Sequence, residues 1–138
     1  MEIQDIHMNE MYHKTTCDIH ITVDVSYLRY RQVNEIGQFH HLYHITIGND
    51  GKDAVQLLRR HWKVMELPIT LEEYKGDGVL GEQPVIQPGD SYSYYSYAGI
   101  KATIGKMWGT YVMENQLTHE QLTVEIPEFN LIVPWLMN

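Results

Sequence analysis

Gly76-Asp77-Gly78-Val79-Leu80-Gly81 has the GxGxxG spacing that cradles a pyrophosphate when it joins a strand to a helix. The chemistry would come from backbone N–H groups converging on an anion. Here Pro84 follows at once, then Val85-Ile86-Gln87-Pro88-Gly89, which is strand and turn chemistry rather than an opening helix. The loop has two readings. Gly76, Gly78 and Gly81 form an anion nest, or they supply positive φ for a tight connection. Asp77 and Glu82 flank the loop and would repel a phosphate unless cations intervene. Lys75 is adjacent, and Arg59, Arg60 and Lys63 are the other cations to consider. The local charge favours the tight connection. Gly76, Gly78, Gly81, Arg59 and Arg60 together are the candidate ligand-binding set.

Arg59-Arg60-His61-Trp62 has the residue types of a binding hot spot. The simpler reading places Trp62 in a sandwich core and leaves one arginine in solvent. Tyr92, Tyr94, Tyr95 and Tyr97, interleaved with serine, resemble a paratope and are the candidate interface residues. Tyr92 and Tyr94 share one face of a strand, and Tyr95 and Tyr97 the other. His40, His41 and His44 suggest a metal site at first sight. On a strand, however, His40 and His44 stand about 13 Å apart and His41 points the other way. Adding His20 from a paired strand gives two ligands, where zinc usually takes three or four from protein. No metal site and no cofactor are expected. Cys17 is the only cysteine. An acidic neighbour, Asp18, raises rather than lowers a thiol pKa, so a structural role is favoured. The serines lack a nucleophile elbow and the carboxylates no pairing pattern, so no catalytic residue is assigned.

The elements that must position these residues are strands. Ile19, Ile21, Val23 and Val25 alternate with Asp18, His20, Thr22 and Asp24, which makes a half-buried strand. Phe39, His41, Tyr43, Ile45 and Ile47 repeat the pattern and end at Gly48-Asn49-Asp50-Gly51. Further strands are expected over Val55–Leu67, Ile69–Lys75, Val85–Ile86, Tyr92–Tyr97, Lys106–Met113, Leu122–Ile126 and Phe129–Val133. Pro68 and Pro127 are expected to end two of them. The Arg59-Arg60 pair disturbs the alternation of its strand. Residues 1–15 show no period and are expected to form a loose N-terminal extension before a single domain over 16–138. No convincing amphipathic helix is present, and the pattern predicts an antiparallel β-sandwich of about seven to nine strands.

A chain of 138 residues, 43% hydrophobic, suits one domain with a real core. Its net charge of −8 with neutral histidines argues against nucleic acid and anionic membranes as partners. No apolar run nears the roughly 20 residues of a membrane span. The N-terminal residues lack a signal-peptide pattern, so a cytoplasmic location is expected.

Several ordered segments then agree with one family. Gly76–Pro84 with Pro88-Gly89, Leu57-Leu58-Arg59-Arg60-His61-Trp62, Gly105-Lys106-Met107-Trp108-Gly109-Thr110-Tyr111 and Ile126-Pro127-Glu128-Phe129-Asn130-Leu131 resemble the signature of the ApaG family, over roughly residues 17–138. The resemblance implies a fibronectin type III-like β-sandwich with no agreed enzyme activity. Its bacterial members carry a label of cobalt and magnesium efflux or resistance. Its eukaryotic domains are fused to F-box and polymerase-interacting proteins, where protein binding is the presumed role. The expectation is therefore a non-enzymatic interaction protein, a monomer or weak homodimer with an unidentified protein partner. The alternative is a phosphate-containing small ligand, such as a pyrophosphate or nucleotide, on the Gly76–Gly81 loop.

Overall fold

The computed structural model describes residues 10–136. Among the described residues there are nine strands: β1 Glu10–Thr16, β2 Ile19–Val33, β3 Ile36–Asn49, β4 Val55–Glu66, β5 Thr70–Asp77, β6 Val85–Ile86, β7 Ser91–Ile100, β8 Ile104–Asn115 and β9 Gln121–Ile132, with a 3₁₀ turn at Pro134–Leu136. They form two antiparallel sheets. One has the order β1-β2-β3-β7; the other has β5-β4-β8-β9, with β6 paired to β4. The expected β-sandwich is the fold observed. No helix among the described residues is long and apolar enough to cross a membrane.

Two expectations are corrected. Residues 10–15, read as part of a loose extension, belong to β1, which pairs with β2 from Glu10↔Val25 to Thr16↔Ile19. Residues 1–9 lie outside the described residues. Pro127 does not end its strand. The β8–β9 register slips between Met107 and Gly109, so Pro127 and Glu128 together oppose Trp108. A bulge tolerates proline because its missing N–H is not needed in the ladder.

The core lies between the sheets. Ile19, Ile21, Val23, Ile45 and Ile47 from one sheet meet Leu57, Met113, Val124 and Leu131 from the other. The alternation read from sequence is what aims them inward. An aromatic cluster closes the centre: Tyr43 packs on Trp62 and Phe129, with ring centroids 5.7 and 5.6 Å away. Trp62 is buried, as expected. The Tyr94 and Tyr111 hydroxyls join the sheets by a hydrogen bond. Burial holds both phenols above the usual tyrosine range, so both remain neutral. Removing one hydroxyl strands its partner in a low-dielectric site. Tyr94→Phe and Tyr111→Phe should each cost about 1–3 kcal/mol in denaturant unfolding, and the double variant less than their sum. Strict additivity would show that the two hydroxyls do not depend on each other.

His41 is 1% exposed on the core face of β3, and its Nε2 has no hydrogen-bond partner among the described residues. Its ring meets Tyr27 edge-on at 5.5 Å. Burial, then the neighbouring His40, lowers its pKa from 6.5 to about 4. Between those values the unfolded chain binds more protons. The stability that neutral His41 supports is thus complete above pH 6.5 and lost as pH falls towards 4, with a ceiling of about 3 kcal/mol. Melting curves across this window should fall more steeply for the wild type than for His41→Leu. Parallel curves would assign the acid loss to another group.

Candidate functional site

The site begins with a defect in β4. Val55 and Leu57 face the core, and strict alternation would next turn Arg59 and His61 inward. Instead the register against β8 slips: Leu57 pairs with Met113, but Arg59 pairs with Val112. Leu58 is the extra residue of a bulge. Beyond it Arg60, Trp62, Val64 and Glu66 face inward, while Arg59, His61 and Lys63 face out. The broken pattern at Arg59-Arg60 is the sequence trace of this bulge.

The glycine segment docks on the bulge. Leu58 O, freed from the ladder, accepts hydrogen bonds from Gly78 N (2.8 Å) and Gln83 Nε2 (3.0 Å). Gly78 lies at φ +58°, and a Cβ there would collide with the Glu82 carbonyl oxygen. Val79 and Glu82 exchange two backbone hydrogen bonds of 2.8 Å around Leu80 (φ +48°) and Gly81 (φ +79°). Positive φ at both central positions is the type I′ hairpin pattern. Two of the three glycines of GxGxxG thus supply backbone geometry. The Gly78 N–H that a nest would require is already committed to Leu58 O.

Arg60 completes the arrangement from inside. Its Nη1 donates to Asp77 O (2.9 Å) and Gly78 O (2.7 Å). The guanidinium lies against Gly76, where a Cβ would stand 2.8 Å from Nη2 and 2.9 Å from Cζ. Arg59 lies on the opposite face and reaches Gln121 Oε1 at 3.4 Å. The two arginines therefore do not form one patch.

A cleft of about 470 Å³ opens beside Arg60, between the hairpin with β5 on one side and β7 on the other. Tyr43, Trp62, Ile100 and Met107 give it an apolar floor; Arg60, Ser96, Glu72 and Asp77 give it polar walls. Tyr74, Leu80 and Tyr97 stand at its rim with 52, 65 and 63% of their surface exposed. Tyr74 donates to Glu72 Oε2 at 2.6 Å, which, with burial, raises its pKa to about 12. Glu66 closes the far end: its Oε1 accepts from Lys101 N and Ala102 N at 2.9 and 2.8 Å. Arg60 is among the candidate residues of the sequence, but its inward facing, Glu66 and the cleft itself are not read from it. Only the disturbed alternation of β4 hinted at them.

The other expected residues divide. Tyr95 and Tyr97 are exposed, Tyr97 also bordering the cleft, but Tyr94 belongs to the core and Tyr92 is half-buried against it. Four tyrosines do not make one surface. His20 pairs with Gly48, not with His40 or His44. It stacks on His13 at 5.7 Å and meets Thr15 Oγ1 at 2.5 Å. Among the described residues no three His, Cys, Asp or Glu side chains gather into a metal site. Cys17 is exposed in the β1–β2 turn at φ +49°.

Comparison with known proteins agrees with this architecture. The ApaG domain model matches residues 30–115. The chain belongs to the ApaG family. Protein ApaG of Paramagnetospirillum magneticum is 41% identical over 124 residues, spanning 90% of this chain and 95% of that protein. Protein ApaG of Brucella canis is 38% identical over the same spans. A structural-genomics crystal structure superposes with a TM-score of 0.82 at 32% identity, covering 88% of this chain and 91% of that one. The ApaA protein from Bordetella pertussis gives 0.71 at 31% identity, over 83% and 94% of the two chains.

The ApaG glycines differ in how much they tolerate. Gly81→Ala meets open space and bears only the left-handed backbone cost, about 1–2 kcal/mol. Gly78→Ala adds a collision with the Glu82 carbonyl and should cost clearly more in thermal or urea unfolding. Equal losses would mean that the hairpin shifts freely around Gly78.

Proposed function

We propose that this ApaG protein is a non-enzymatic binding module acting in the cytoplasm, and that it engages a protein partner through the cleft between β5 and β7. One observation carries this reading: among the described residues each sheet ends, at the cleft, in a strand with an unpaired edge. Such edges offer backbone groups to an extended segment, while the pocket between them receives its side chains. The Trp62, Tyr43 and Arg60 lining and the exposed Tyr74 and Tyr97 of the rim are the residue types that dominate binding energy elsewhere. A role in cobalt or magnesium tolerance would then run through the partner. The alternative, a phosphate ligand held by the loop backbone, is less favoured because the Gly78 N–H is spent on Leu58 O.

Peptides selected from a randomised library test the reading. Their binding should shift the amide signals of Leu80, Gly81, Ser96 and Tyr97. It should weaken about tenfold or more in a Leu80→Ala, Tyr97→Ala double variant. Selected peptides whose shifts gather on the outer face around Trp108 would overturn the cleft as the seat.

A further inference from the structure

Arg60 is a half-buried cation turned toward the cleft between the sheets. Among the described residues it makes no ion pair. Its two hydrogen bonds both leave from Nη1. A guanidinium carries five N–H donors, so Nη2 and Nε remain without a hydrogen bond among the described residues. Arg60 is also held in place: the Asp77 and Gly78 carbonyls fix one end, and Gly76 backs its plane so closely that no side chain could stand there. A positioned guanidinium with unused donors facing an aromatic cleft is a recognition group in waiting for an anion.

We propose that Arg60 anchors a carboxylate carried beside a large apolar or aromatic side chain, as at the C-terminus of a partner chain that ends in such a residue. The apolar side chain seats on Trp62, Tyr43 and Met107, and the carboxylate pairs with the free donors of Arg60, next to the Ser96 hydroxyl. The rest of the segment runs out along the β5 or β7 edge. A single negative charge fits better than a phosphate dianion. Among the described residues Arg60 is the only cation lining the cleft, whereas Glu66, Glu72 and Asp77 also line it and repel a second negative charge more strongly. This anchor rests on the cleft being the binding seat, and its test separates the two.

The unaltered protein is titrated with N-acetyl-phenylalanine, with its amide and with phenyl phosphate, following the Arg60 Nε–H, Trp62 indole and Ser96 amide signals. The acid should bind about tenfold more tightly than the amide, with phenyl phosphate weaker than the acid. In Arg60→Gln, checked for an intact melting transition, acid and amide should bind alike. Acid and amide binding equally to the unaltered protein would overturn the anchor while leaving the cleft as the seat. Phenyl phosphate binding more tightly than the acid would overturn the choice of a monoanion. No cleft shifts with any of the three up to about 10 mM would overturn both the anchor and the seat.

Discussion

The bulge at Leu58 is the constraint on which the rest of the site depends. One extra residue in β4 does two things at once. It turns the following side chains over, so that Arg60 and Trp62 rather than Arg59 and His61 enter the sandwich. It also removes the Leu58 carbonyl from the ladder and leaves it needing a donor. Gly78 and Gln83 supply donors, and this fixes the glycine hairpin onto β4. Arg60, turned inward by the same bulge, then binds the Asp77 and Gly78 carbonyls from the other side. Bulge, hairpin and arginine form a closed set, in which each satisfies polar groups that another exposes.

The two sides of the sandwich are finished differently. On one side β1 lies against β9. Tyr12 OH accepts from Asn130 N, Thr16 Oγ1 accepts from Glu125 N, and Lys14 pairs with Glu125 at 2.8 Å. The Tyr12 ring also reaches Phe129 in the central aromatic cluster. That seam closes the sheets together. On the other side β7 and β5 share no such seam, and every residue of β5 except Gly76 is exposed. A sheet face left uncovered beside a buried tryptophan is a surface suited to a ligand, since the apolar floor gains from being covered. Charged Glu72, Glu73 and Lys75 on β5 keep its edge from pairing indiscriminately.

Most strands were legible because period-two alternation is a local signal, and the inward sets of β2, β3 and β9 follow from it directly. What escaped depended on non-local pairing. β1 carries mixed residues such as Met11, His13 and Lys14, whose places are set by β2 and β9 rather than by their own pattern. Pro127 was expected to end a strand, but the bulge opposite Trp108 absorbs it. Arg60 was weighed together with Arg59 because adjacency in sequence says nothing about facing once the register has slipped. The tyrosine segment was half legible. Alternation correctly separated Tyr92 and Tyr94 from Tyr95 and Tyr97, but only the second sheet, with Tyr111 waiting in it, decides which pair is inside.

The glycine motif shows why spacing alone does not fix chemistry. In a dinucleotide fold the same spacing lets successive N–H groups converge on a phosphate, because a helix begins there and its first donors are free. Here no helix follows, and the chain returns at once as a type I′ hairpin. The Gly78 donor is consumed by the bulge, and what the segment offers to the cleft side are the carbonyls of Asp77 and Gly78. Carbonyl oxygens attract a cation, not an anion. The segment therefore holds a guanidinium, and the polarity that the motif implies is inverted at the backbone. It is restored one step further out, since the charge presented to the cleft is that of Arg60.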